Sequence, residues 1–157
     1  MSDQISFNLN DYQLLIFDWE GTICINFNGL LDGAMGSLTE LKRRGFTLYV
    51  ATSASTGCMQ EQFEQCPELA KLFEGFQTSD MGKPKPDPTM LEEILLKTGF
   101  EKNQALMIGD SVYDVMMGNL ANIDTVGLLS GTSTADDFKT VSPKCVLNNI
   151  NELLDYL

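Results

Sequence analysis

Asp18 and Glu20 stand one residue apart at the end of an unbroken apolar run, Leu14-Leu15-Ile16-Phe17, and Gly21-Thr22 follows them. Carboxylates delivered at the tip of a buried strand are costly unless a cation or hydrogen bonds compensate them. The pair therefore asks for a metal ion, a lysine, or both. The chain has candidates at matching places. One apolar stretch ends in Thr52-Ser53, another ends in Gly109-Asp110 with Asp114 four residues on, and Lys83 and Lys85 sit in Gly82-Lys83-Pro84-Lys85-Pro86-Asp87-Pro88. Asp110 and Asp114 fall one helical turn apart, on the same face. There is no histidine anywhere. That excludes Ser-His-Asp and Cys-His catalysis, His-ligated zinc and imidazole acid–base work. Carboxylates, hydroxyls, lysine and thiols must do any chemistry.

The elements that position these residues alternate in type. Leu14–Asp18 reads as the first strand, Leu31–Arg44 as a helix with Leu38 and Leu41 on one face, and Phe46–Thr52 as a second strand. Thr56–Leu72 reads as helical with an interruption at Pro67, and Phe76–Thr78 as a short strand. Asp87-Pro88 has the form of an N-cap and first helical position for a helix over Thr89–Lys97 that stops at Gly99. A strand over Gln104–Gly109, a helix over Val112–Ala121, strands at Asp124–Leu129 and Cys145–Leu147 and a closing helix at Asn151–Leu157 complete the pattern. Such alternation implies an α/β fold, a three-layer α/β/α sandwich with a Rossmann-like, mainly parallel sheet. In that architecture ligands bind beyond the carboxyl ends of the strands. Asp18/Glu20, Thr52/Ser53 and Asp110 all lie there.

Bulk properties narrow the class. A length of 157 residues suits one domain with a real core, taken here as residues 1–157. The formal charge of −12 argues against a nucleic-acid or anionic-membrane surface. It also requires that an anionic substrate be attracted locally. The four cysteines show no Cys-x-x-Cys spacing, which suits reduced thiols in a reducing compartment. The first residues lack a basic and apolar leader pattern, and no apolar run is long enough to span a bilayer, so a cytoplasmic location is expected.

Four segments, Phe17-Asp18-Trp19-Glu20-Gly21-Thr22, Tyr49-Val50-Ala51-Thr52-Ser53, Gly82 to Pro88, and Ile108-Gly109-Asp110-Ser111-Val112-Tyr113-Asp114, resemble in this order the motifs of the haloacid dehalogenase-like hydrolase superfamily, in its phosphoglycolate-phosphatase-like branch. The resemblance implies a phosphatase. Asp18 matches the nucleophile that forms an aspartyl-phosphate, and Glu20 the general acid/base. Thr52 matches the hydroxyl that holds a phosphoryl oxygen, with Ser53 competing for that part. Lys83 matches the neutralising lysine; its place before the first proline favours it over Lys85. Mg²⁺ is the implied cofactor, held by Asp18, the carbonyl of Glu20 and Asp110, with Asp114 as a direct or outer ligand.

Two departures matter. The family's residue at position 20 is Asp; Glu extends the carboxylate by one methylene, about 1.5 Å. A shift on the order of 1 Å can cost ~10²-fold in rate. Secondly, Thr22 to Phe46 accommodates only a small flap over Ile23–Gly29, with a turn signal at Asn28-Gly29, and one helix. No separate cap domain is expected. An open site suits a phosphorylated small molecule or macromolecule, or a lid donated by a second copy of the chain. The alternatives are a weakened phosphate- or partner-binding domain of the same fold, and a receiver-like phospho-acceptor.

Overall fold

The structure is a computed structural model that describes residues 7–157. In chain order it comprises β1 (Leu14–Phe17), a hairpin of β2 (Cys24–Ile25) and β3 (Gly29–Leu30), α1 (Ala34–Arg43), β4 (Thr47–Ala51), α2 (Thr56–Gln65) and α3 (Pro67–Ala70). There follow β5 (Phe73–Gln77), α4 (Thr89–Thr98), β6 (Ala105–Gly109), α5 (Val112–Leu120), β7 (Asp124–Leu128), α6 (Ala135–Lys139), β8 (Cys145–Leu147) and a closing 3₁₀ helix, Ile150–Tyr156. Apart from the hairpin, the strands form one parallel sheet in the order β5-β4-β1-β6-β7-β8.

β1 is central, which is why all four of its residues are apolar and buried. Its alternate side chains feed two cores. Leu15 and Phe17 join Leu48, Val50, Leu106, Ile108, Val126 and Leu128 on one face, against Leu38 and Leu41 of α1 and Met59 of α2. Leu14 and Ile16 join Tyr49, Ala51, Ala105 and Met107 on the other, against Met90, Leu91 and Ile94 of α4 and Met117 of α5. The period of two along each strand thus becomes a helix layer on each face.

The chain runs outward from β1 through β4 to β5, then returns through α4 to β6 on the other side of β1. That reversal makes the carboxyl ends of β1 and β6 a topological switch point, where a crevice opens. Asp18 and Asp110 are the next residues after those two strands.

Several local expectations are corrected. The closing segment is a 3₁₀ helix rather than an α-helix. β5 begins at Phe73, three residues ahead of the expected start, because Phe73 itself is buried against Phe17 and Trp19. The hairpin turns at Asn26 and Phe27, both with positive φ, instead of at Asn28-Gly29. α6 was not anticipated; its Phe138 is fully buried beside Gly127. No separate cap is present among the described residues, and no helix among them is long and apolar enough to cross a membrane.

Because Phe17 packs in the central strand with no exposure, Phe17→Ala is expected to lower stability by about 3–5 kcal/mol, read from urea denaturation midpoints. A loss below ~1 kcal/mol would show that the core does not converge on β1.

Candidate active site

β1 ends by turning sharply. The Trp19 carbonyl accepts from the N–H groups of Thr22, Ile23 and Cys24, at 3.2, 2.9 and 3.2 Å. Trp19 itself is buried, packed edge-on against Phe63 and Phe73, with its ring N–H donating to Gln62 Oε1 at 3.2 Å. This anchor fixes where the two flanking acids point. The Trp19 main-chain N–H donates to Asp18 Oδ1 at 2.7 Å.

Gly21 has φ +79°, and a Cβ there would strike the Asp110 carboxylate. Gly131 meets the same carboxylate from the β7 side, again where a Cβ would clash. Two glycines thus let the backbone close around Asp110. Its Oδ1 accepts from the Thr22 hydroxyl at 3.2 Å and its Oδ2 from the Thr132 N–H at 3.0 Å.

Asp114 is held as firmly. It is the third residue of α5, and its Oδ2 accepts from the Ser111 N–H at 3.1 Å in a reciprocal cap with the Ser111 side chain. Its Oδ1 receives the ammonium of Lys85 at 2.6 Å. The same ammonium lies 3.0 Å from Asp18 Oδ1, and the Lys85 side chain is only 5% exposed. Burial opposes the Lys85 charge, but Asp114 and Asp18 outweigh it and hold the ammonium above its ordinary pKa.

The structure therefore corrects the lysine assignment. Lys83 is exposed, near Asp87, and makes no contact with Asp18; Lys85, two residues closer to α4, reaches it. The duplicated Lys-Pro offered two registers, and the path of the loop before α4 brings the second to Asp18.

Glu20 also differs from expectation. Its carboxylate borders the cleft but accepts from the N–H groups of Asn26 and Phe27, at 2.5 and 3.0 Å, and from the Cys24 thiol at 3.4 Å. It ties down the hairpin turn and explains why Phe27 tolerates a positive φ. It is not one of the clustered carboxylates; those are Asp18, Asp110 and Asp114, with one oxygen of each within 4.8 Å of the others. Burial, then Glu20, pushes the Cys24 thiol up to about 12, so it stays protonated.

Thr52 is buried where β4 ends, and its hydroxyl oxygen accepts from the Ala54 N–H at 3.1 Å. Ser53 is exposed beside it. Two adjoining hollows meet over Asp18 and share Ser53 and Ser111. The larger, about 350 Å³, is lined also by Glu20, Phe27, Thr52, Ala54, Asp110 and Thr132. The smaller, about 150 Å³, is lined by Lys85, Tyr113 and Asp114. Thr22 lies in the first motif but had no role assigned to it, and Gly131 and Thr132 were missed; all three fix Asp110, and nothing local marks the last two.

Burial, then the charge of Asp114, pushes Asp18 up to about 6 despite Lys85. Burial, then its hydrogen bond with Asp18, pushes Asp110 up to about 6 as well. The acidic cluster is short of positive charge. Hard carboxylate oxygens around such a deficit fit a divalent cation such as Mg²⁺.

The chain matches the haloacid dehalogenase-like hydrolase family model over residues 15–128. It is 29% identical over 127 residues to a phosphoglycolate phosphatase of Psychrobacter arcticus, covering 76% of this chain and 52% of that protein. It is 29% identical over 142 residues to a phosphoglycolate phosphatase of Colwellia psychrerythraea, covering 90% and 62%. The chain thus spans about half to three-fifths of the length of these relatives. A haloacid dehalogenase-like family hydrolase from Streptococcus pneumoniae superposes with a TM-score of 0.83 at 16% identity, covering 94% of this chain and 99% of that one.

Two outcomes test this geometry. A carboxyl that binds its proton more tightly folded than unfolded adds stability below the unfolded pKa, near 3.9, and loses it as pH rises through the folded value. With divalent cations chelated, the melting temperature is therefore expected to fall from about pH 5 to pH 7. Asp110→Asn should flatten that fall and raise the melting temperature at pH 7 by about 3 °C or more. A profile unchanged by Asp110→Asn, followed by calorimetry, would contradict the strained pair. Lys85→Met strands two buried carboxylates and should cost about 3–5 kcal/mol, whereas Lys83→Met should stay within about 0.5 kcal/mol. Equal effects in denaturant titrations would refute the assignment.

Proposed function

This chain belongs to the haloacid dehalogenase-like hydrolase family, and we propose that it is a phosphatase that hydrolyses phosphomonoesters through an aspartyl-phosphate on Asp18. The observation that carries the reading is the Asp18 carboxylate held at the tip of β1, with the Lys85 ammonium at 3.0 Å and Asp110 opposite it, over an open cleft.

One Asp18 oxygen attacks phosphorus, and the bond from phosphorus to the ester oxygen breaks. The leaving alcohol takes up a proton, for which Glu20 is the acid on the cleft wall. Water then attacks phosphorus, gives its proton to a carboxylate, and the bond to Asp18 breaks to release orthophosphate. Lys85 stays between Asp18 and Asp114 throughout and offsets charge that builds on the phosphoryl oxygens. Thr52 and Ser53 stand where hydroxyls could bind those oxygens. Asp18 and Asp110, with Asp114 beside them, are the residues that would hold Mg²⁺, which when bound screens the carboxylate from the anionic phosphoryl group. Because both of its oxygens are already engaged by Ser111 and Lys85, Asp114 suits the part of an outer partner.

Glu20 supports a second reading within the same chemistry. To move a proton it must release the amides of Asn26 and Phe27. Hydrolysis of phospho-Asp18 is then the slow step, and the intermediate persists.

The expected outcome is Mg²⁺-dependent phosphate release from an aryl phosphate, lost by about 10³-fold or more in Asp18→Asn. Glu20→Asp, too short to hold the hairpin amides, should raise kcat several-fold or more, recovering part of the ~10²-fold that a misplaced group can cost. No release across a broad panel of phosphomonoesters would overturn the phosphatase reading. A slower Glu20→Asp enzyme would show instead that the loop is built around Glu.

A further inference from the structure

Resting on the reading of Asp18 as a phosphoryl acceptor, we infer that the substrate is a phosphomonoester whose alcohol half carries no negative charge: a neutral or cationic leaving group, not a carboxylate or a second phosphate.

The walls of the two hollows carry this. They present the carboxylates of Asp18, Glu20, Asp110 and Asp114, and among the described lining residues the one cation is Lys85. Lys85 cannot serve a second anion. Its ammonium is 2.6 Å from Asp114 and 3.0 Å from Asp18, on a side chain that is almost wholly buried. Even with a divalent cation added, the carboxylates leave the site net negative before the phosphoryl group arrives.

Main-chain donors at the start of α5 and in the loop after β7 are spent as well. The Ser111 N–H goes to Asp114, that of Val112 to the Ser133 hydroxyl, that of Tyr113 to the Ser111 hydroxyl, and that of Thr132 to Asp110. A helix N-terminus that often receives anions is here filled by the protein's own side chains. What the walls leave for a leaving group is the hydroxyls of Ser111 and Thr132 and the rings of Phe27 and Tyr113. These hydrogen-bond or cover uncharged surface, and an ammonium would be drawn to Glu20.

A carboxylate in the same place would sit unpaired near like charges, which is how a site rejects a ligand. The chain would then differ from the phosphoglycolate phosphatases it resembles, whose named substrate has a carboxylate on its leaving group.

The test compares kcat/KM, by phosphate release with Mg²⁺, for 2-phosphoglycolate, glycerol 2-phosphate and phosphoethanolamine, whose alcohol halves are anionic, neutral and cationic. The neutral and cationic esters should exceed 2-phosphoglycolate by about tenfold or more. Ala54→Lys adds a cation to the wall of the larger hollow and should narrow that gap by raising turnover of 2-phosphoglycolate. Turnover of 2-phosphoglycolate equal to or above the other two would overturn the inference while leaving the phosphatase reading intact. So would a folded Ala54→Lys protein with an unmoved ratio. Release from none of the three esters, nor from an aryl phosphate, would remove the phosphatase reading and the inference with it.

Discussion

An ammonium buried between two carboxylates organises this molecule. Lys85 has no exposed alternative to Asp18 and Asp114, and neither acid could bear its charge at that depth alone. The triad ties together three pieces of chain that are far apart in sequence: the end of β1, the loop before α4 and the first turn of α5. The parallel sheet makes the meeting unavoidable, because the order β5-β4-β1-β6 sets the ends of β1 and β6 side by side. The fold explains where the charges are, and the charges explain why these loops cannot be rearranged.

Asp110 completes the cluster under a different constraint. Its carboxylate is enclosed by Gly21, Gly131, Thr22 and Thr132, so it cannot swing away from Asp18. Burial raises the proton affinity of both acids, and Asp18 raises that of Asp110 further. Such a pair has a standing demand for positive charge, which a divalent cation meets in the family's chemistry. Glu20 stands outside this cluster. Its extra methylene lets it bridge to the hairpin amides, and the same reach removes it from Asp18's immediate surroundings.

Much of this was legible in the residues. The buried runs ending in Asp18, Thr52 and Asp110 announced strand tips, and strand-end acids at adjacent strands imply a shared site. The alternation of strand and helix patterns along the chain correctly implied a mainly parallel sheet with helices on both faces. What stayed illegible depended on side-chain reach and on distant contacts. Lys83 and Lys85 occupy chemically equivalent Lys-Pro steps, and only the geometry of the loop before α4 selects Lys85. The turn at Asn26-Phe27 was hidden because positive φ at Phe27 is held by Glu20 and by the Gln62 side chain on α2, which donates to the Phe27 carbonyl at 3.1 Å. Thr22 and Thr132 act on Asp110 from 88 and 22 residues away, a separation no local pattern reveals.

The central claim is that Asp18, neutralised by Lys85, accepts the phosphoryl group. Borohydride reduction of an acid-quenched reaction converts an aspartyl-phosphate to homoserine, which peptide mass spectrometry locates. With Mg²⁺ and a hydrolysable phosphomonoester, the account predicts homoserine at position 18 in the wild type and its loss in Lys85→Met. Phosphate release with no modification at position 18, or modification at another carboxylate, would contradict it.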